Sequence, residues 1–251
     1  MKAQSIRIAV VSDIHGNRTA LEAVIADLRS AAPDLVLHGG DLADSGSSPT
    51  QVVDRIRELG WAGVMGNTDE MLVRPQALED FAGQSKAPAT MWDKIREIAA
   101  ATRAALGEER LAWMRGFPLE IARPEAGFAL VHARPGDCWR APAADASDAE
   151  LETIYGSLAE PVVAYGHTHV PSIRRLNGTP KLLINTGSAG LPYDGDARAS
   201  YLLLDDGVPE IRRVEYDLEQ EVKLLDACGL PGAAWTAKML QARGPAMPQE
   251  S

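Results

Sequence analysis

Three short apolar runs at residues 6–11, 34–37 and 61–65 alternate with two stretches of helical periodicity, and this alternation constrains the fold more than any other feature. Leu21, Val24, Ile25 and Leu28 are spaced i, i+3, i+4, i+7 on one helical face, with Asn17 placed to cap it. Val52, Val53, Ile56 and Leu59 lie in a second helix, opened by Ser48-Pro49 and closed by Gly60. A strand–helix–strand–helix–strand succession implies right-handed crossovers and a parallel sheet, with ligands gathered at the carboxyl ends of the strands.

Those ends carry the polar motifs. Ser12-Asp13-Ile14-His15-Gly16-Asn17 follows the first run, Gly39-Gly40-Asp41 the second and Gly66-Asn67-Thr68-Asp69 the third. Further on, His132 follows an apolar run at 126–131, and Gly166-His167-Thr168-His169 follows another at 161–165. Carboxylate and amide oxygens mixed with imidazole nitrogens suit Mn, Fe, Zn or Ni better than Ca or a thiolate site. Taken singly, Asp13 or Asp41 reads as an N-cap or turn residue and His132 as a buried, satisfied imidazole. The joint pattern favours a metal centre. In an extended segment, His167 and His169 at i, i+2 point to the same side and can reach adjacent metals.

Residues 70–118 interrupt the rhythm with a helical elaboration that leaves directly from the Asn67 loop, and its Trp92 and Trp113 read as core packing. The second half is richer in strands, at 126–131, 161–165, 182–185, 201–204 and 211–216, with a loop at 142–145 and a helix at 217–225. The tail from Gly244, with Pro245 and Pro248, is expected to fray.

A chain of 251 residues suffices for one large α/β domain, residues 1–251, and nothing in it marks a second. The first apolar run is too short for a signal peptide or membrane span. Cys138 and Cys228 are far apart, without disulfide or metal spacing, so a reducing cytoplasm is the expected compartment and Cys138 reads as an ordinary loop residue. The net charge of −10 argues against long nucleic acids, which are held by clustered Lys and Arg. Two carboxylates against two divalent cations would leave the centre itself at about +2 before a bridging hydroxide is added, able to attract an anion that the surface repels.

The order D-x-H, G-D, G-N-x-D, H and G-H-x-H resembles the calcineurin-like metallophosphoesterase superfamily, and the match spans about residues 6 to 205. Asn185-Thr186-Gly187-Ser188 followed by Asp194-Gly195-Asp196 is similar to the YfcE-like phosphodiesterase branch. The resemblance implies an α/β fold, a four-layer α/β/β/α sandwich with two divalent metal ions at its edge, manganese favoured. It implies that Asp41 bridges the metals, that Asp13, His15 and His169 complete one ligand shell, and that Asn67, His132 and His167 complete the other. Two metals about 3.5 to 4 Å apart would lower the pKa of a bridging water and neutralise charge on the phosphoryl oxygens. Asp13, Asp41, Asn67 and His132 are thus the residues expected to carry catalysis. His38 matches no motif position and is assigned a packing or supporting role.

One departure bears on mechanism. Where many superfamily members have a histidine in G-N-x-D, this chain has Thr68, whose hydroxyl is no general acid near neutral pH; a positioned acid is typically worth about 10² to 10⁴ in rate. That favours a phosphodiesterase for small diesters, cyclic or linear nucleotides among them, over a phosphomonoesterase, and the intact ligand set argues against a non-catalytic phosphoesterase-like scaffold. Asp69 is left free for another role. Substrate contacts are expected from Asn17, Asn67 and Arg134; Arg134 and Arg198 read equally as surface ion pairs. The oligomeric state is open.

Overall fold

The computed structural model describes residues 6–248. Two five-stranded sheets lie face to face. In the first, β1 (Arg7–Val11), β2 (Leu35–His38) and β3 (Ala62–Gly63) are parallel, and β9 (Ala199–Asp205) and β10 (Val208–Val214) extend it antiparallel beyond β1. In the second, β5 (Phe128–Val131), β6 (Val162–Tyr165) and β8 (Leu182–Asn185) are parallel, flanked by antiparallel β4 (Glu120–Arg123) and β7 (Ser172–Arg175) at the edges.

The period-2 alternation of the strands builds the layers. Ile8 and Val10 of β1 join Leu202 and Leu204 of β9, and meet Phe128 and Leu130 of β5 and Ile184 of β8, in the core between the sheets. Ala9 and Val11 point the other way, into a core with Leu21 and Val24 of α1 (Arg18–Ala31) and Val53 and Ile56 of α2 (Pro49–Leu59). On the far face of the second sheet, Ala129, Val131 and Leu183 pack against Leu151 and Tyr155 of α6 (Asp148–Tyr155). The result is the expected four-layer α/β/β/α sandwich. Asn17 caps α1 as anticipated, its side chain accepting from Ala20 N.

The third strand is shorter than its apolar run. Only Ala62 and Gly63 pair with β2; Val64 N still reaches His38 O at 3.2 Å, but Met65 N bonds Pro118 O at 2.8 Å, turning the chain toward the helical elaboration. That elaboration comprises α3 (Asn67–Val73), α4 (Gln76–Ala82) and α5 (Ala89–Met114), the last broken at Gly107. Trp92 is buried in the helix-side core, and half-buried Trp113 packs edge-on to Phe117. Strands β4 and β7, helix α6 and the last helix α8 (Ala233–Ala242) lie outside the elements expected from the sequence, and the last strand covers 208–214 rather than 211–216. Helices α7 (Leu218–Ala227) and α8 pack on the loop after β8 through Leu191 and Tyr193. Among the described residues no helix is long and apolar enough to cross a membrane.

Candidate metal centre

Every polar motif lies at the carboxyl end of a strand. Asp13 and His15 follow β1, Asp41 follows β2, Asn67 opens α3, His132 follows β5, and His167 and His169 follow β6. The first two loops are stitched together by backbone bonds: Asp13 N to Gly40 O at 3.0 Å, His15 N to Asp41 O at 3.0 Å and Gly16 N to Leu42 O at 2.8 Å. Asp13, His15, Asp41, His167 and His169 all have left-handed backbone, with φ between 47° and 66°. These are five of the nine non-glycine residues with positive φ among the described residues. Such conformations cost about 1 to 3 kcal/mol each and persist where the surroundings enforce them. Here they turn consecutive side chains inward. The segment holding His167 and His169 is accordingly not extended, contrary to the sequence expectation; its alternating left-handed residues send the two imidazoles to different halves of the site.

Two motif glycines exist for close approach. A Cβ on Gly66 would lie 2.1 Å from Asp41 Oδ1, and one on Gly166 would lie 2.2 Å from Asp13 Oδ2. Any side chain there would displace a carboxylate.

In one half, buried Asp13, His15, Asp41 and His169 each present a donor atom, all within 4.8 Å of one another. His169 Nε2 is 3.2 Å from Asp13 Oδ1, and His15 Nε2 is 3.6 Å from Asp41 Oδ2. His15 Nδ1 donates to Asp44 O at 3.1 Å and His169 Nδ1 to Leu191 O at 2.6 Å, because a carbonyl can only accept. Both Nε2 atoms therefore carry lone pairs, and they face each other at 3.1 Å. Burial, reinforced by His169, holds the His15 imidazole below its ordinary pKa, in the neutral form that ligates a cation.

The other half repeats the logic. His132 Nδ1 donates to Gly39 O at 2.7 Å, so in the neutral ring its Nε2 is an acceptor, and that atom lies 3.0 Å from Asn67 Oδ1 and 3.3 Å from His167 Nδ1. Against the effect of burial, Asp41 and Asp13 raise the pKa of this imidazole, a proton that a bound cation would displace. His167 Nδ1 is itself 2.8 Å from Asn67 Oδ1, and burial beside His132 pushes its pKa down to about 4. Asp41 stands between the halves: Oδ1 is 3.6 Å from His132 Nε2 while Oδ2 faces His15. Acceptors facing acceptors at about 3 Å repel unless a cation lies among them, and that is the spacing of neighbouring donors each about 2.1 Å from one metal. The donor set fits divalent cations.

Asp69 has the role its motif left open. Its buried carboxylate accepts Asp41 N at 2.7 Å, Leu42 N at 3.0 Å and Gly66 N at 3.1 Å, pinning the turn that aims Asp41. Thr68 contributes its backbone N–H to Asp41 Oδ1 at 2.9 Å, and its hydroxyl is buried without a partner. Ser12 Oγ donates to Asp13 Oδ2 at 2.6 Å, and Tyr193 stacks on His169 with ring centroids 4.4 Å apart. Neither contact was anticipated; a tyrosine 24 residues beyond the motif gives no signal at sequence level.

Of the expected substrate contacts, Asn67 faces the donors. Asn17 is buried and its amide is committed, Oδ1 to the α1 cap and Nδ2 to Gly190 O at 2.9 Å. Arg134 pairs with Asp137 at 2.7 Å and Arg198 with Asp196 at 2.7 Å, the ion pairs of the plainer reading. His38 packs against Phe117 with centroids 4.7 Å apart and neither ring nitrogen has a partner.

Comparison with known proteins agrees with this architecture. The family model of the calcineurin-like phosphoesterase superfamily domain matches residues 6–206. An uncharacterised protein of Methanocaldococcus jannaschii is 31% identical over 243 residues, covering 89% of this chain and 93% of that protein. A symmetrical bis(5′-nucleosyl)-tetraphosphatase of Methylococcus capsulatus is 32% identical over 150 residues, 59% of this chain and 50% of that protein. The crystal structure of a metallophosphoesterase from Sphaerobacter thermophilus shares the fold, with a TM-score of 0.78 at 24% identity, covering 96% of this chain and 100% of that one.

Proposed function

The chain belongs to the calcineurin-like phosphoesterase superfamily, and from that premise we propose that it is a phosphodiesterase acting on small phosphodiesters, nucleotides among them, at a dinuclear divalent metal centre. The observation that carries this reading is the placement of Asp41, whose two oxygens address two separate sets of facing acceptors. Asp13, His15 and His169 would hold one cation, Asn67, His132 and His167 the other, and Asp41 would serve both. Mixed imidazole, carboxylate and amide donors fit Mn, Fe, Zn or Ni. Two such cations, when bound, supply a hydrolytic nucleophile at neutral pH and neutralise charge on the phosphoryl oxygens.

The chain's own groups do the positioning. Backbone carbonyls of Asp44, Leu191 and Gly39 hold the Nδ1 atoms of His15, His169 and His132, turning each Nε2 toward the centre. Asp69 fixes the turn behind Asp41. The Thr68 hydroxyl offers no proton to a departing oxygen, which disfavours esters with poor leaving groups. Substrate size follows from charge, since a net −10 opposes long polyanions. The relative acting on bis-nucleosyl tetraphosphates supports nucleotides as a substrate class.

The deciding experiment is an assay of metal-loaded protein against activated diesters and monoesters, repeated after chelation. Metal-dependent hydrolysis with diesters ahead is the expected result. Undiminished activity in thoroughly chelated protein, or no hydrolysis of any ester after loading, would overturn the proposal.

A further inference from the structure

Beside the metal-facing residues, the two segments that bring Asn67 and His132 together also join a cluster of aromatic and charged residues. Glu70 stands one helical turn past Asn67 on α3, and it accepts Trp139 Nε1 at 2.5 Å. Trp139 lies seven residues past His132 on the loop that leaves β5. Its indole is thereby tied to the helix turn that presents Asn67. The ring packs on Phe81 of α4, with centroids 4.9 Å apart and planes at 31°, and the Arg140 guanidinium sits 5.2 Å over the Phe81 ring. Arg140 is held there by Gln84 Oε1 at 2.6 Å and Asp137 Oδ2 at 3.2 Å. These residues border an open cleft of about 110 Å³.

Three features distinguish this cluster from core packing. Phe81 and Trp139 stay half-buried, and the Arg140 side chain is 41% exposed. Arg74 and Arg140 border the cleft with Glu70 and Asp80, so its charges are balanced rather than acidic like the protein as a whole. The indole N–H is already used by Glu70, so what Trp139 has left to offer is ring surface rather than a hydrogen-bonding edge.

We propose that this cleft receives the planar part of the substrate, a nucleobase, while its phosphate lies among the metal-facing residues. The proposal rests on the phosphodiesterase reading and names the substrate class. Every nucleobase has a π-face, so stacking on aromatic rings with a guanidinium alongside favours binding whichever base is offered. The helical elaboration, through Phe81, and the loop after β5, through Trp139 and Arg140, together form the specificity wall.

The test is binding as well as turnover. Metal-loaded protein is titrated with thymidine 5′-monophosphate and with methyl phosphate by calorimetry, and tryptophan emission is followed. The nucleotide should bind at least about tenfold tighter, within the range of one stacked base, and should quench emission. Trp139→Leu and Arg140→Ala should each shrink that ratio severalfold. Equal affinity for the two ligands in the wild type, or a ratio unchanged in both variants, overturns the proposal; a general structural defect would weaken both ligands together and leave the ratio intact. Should Trp139→Leu fail to fold, the exposed Arg140→Ala carries the test alone. In parallel, kcat/KM is compared for thymidine 5′-(p-nitrophenyl phosphate) and methyl p-nitrophenyl phosphate. Absence of turnover on both would remove the phosphodiesterase reading, while the binding ratio would still judge the cleft.

Discussion

The carboxylate of Asp69 accepts the backbone amide of Asp41 at 2.7 Å, so a residue that faces none of the metal donors directly aims the side chain shared by both halves of the centre. With Leu42 N and Gly66 N also bound, its two oxygens hold three buried donors. Asp69→Asn replaces one acceptor oxygen with a second donor pointed at those amides. Leaving buried donors unpaired costs about 1 to 3 kcal/mol. The variant should melt at lower temperature and bind metal about 10 to 100-fold more weakly. Thermal melts and metal titration of the purified variant check both; unchanged metal affinity would leave Asp69 a purely structural residue.

Asp41→Asn should lower metal content in both halves, whereas His15→Ala or His132→Ala should chiefly affect the half each residue faces. Elemental analysis distinguishes these outcomes. Chelation should lower the melting temperature of the wild type, because a ligand that binds only the folded state stabilises it by mass action. That shift should shrink in Asp41→Asn.

The rate should depend steeply on leaving-group pKa, because no side chain in the Thr68 position can protonate the departing oxygen. Thr68→His supplies an imidazole but no orienting carboxylate, since Asp69 is already bound to three amides. The substitution should therefore leave the dependence steep. A series of aryl diesters run on both proteins measures this, and a flat wild-type series would refute the account.

His38 makes a pH prediction. Burial alone pushes its pKa down to about 3, and neither ring nitrogen has a partner. The unfolded chain takes up a proton near 6.5 that the folded chain refuses until about 3. Stability is therefore complete above the unfolded value and is lost as pH falls between the two, by up to about 1.4 kcal/mol per pH unit. Denaturant melts at saturating metal should show His38→Leu losing about 2 kcal/mol less than wild type between about pH 7 and pH 5. Parallel losses in the two proteins would show that His38 is not the responsible group.

The legible parts of the fold were those in which one local signal dominated. The apolar spacing of α1, its Asn17 cap and the Pro49 and Gly60 ends of α2 all emerge as read. The missed elements follow a different logic. Edge strand β7 contains Arg174 and Arg175 and is fixed by pairing with β8; β4 alternates exposed and half-buried residues and is fixed by β5. The capping box of α6, Ser147 with Glu150, was present in the sequence but follows no long apolar face. In the site, residue types in order pointed to the side chains that the fold brings together. Their backbone conformations, the carbonyls that fix the imidazole tautomers and the stacking of Tyr193 arise from tertiary contacts that no local spacing encodes.

The left-handed backbone at five donor positions gives the protein an asymmetric evolutionary exit. At Asp13, His15, Asp41, His167 and His169 a glycine would relieve strain that the present residue stores. That gain is offset where the side chain holds a buried amide, as Asp41 holds Thr68 N and Asp13 holds His167 N. Asparagine, which tolerates the same backbone and keeps an acceptor oxygen, is therefore the replacement by which a lineage released from selection for metal binding would lose these carboxylates at least cost to its fold.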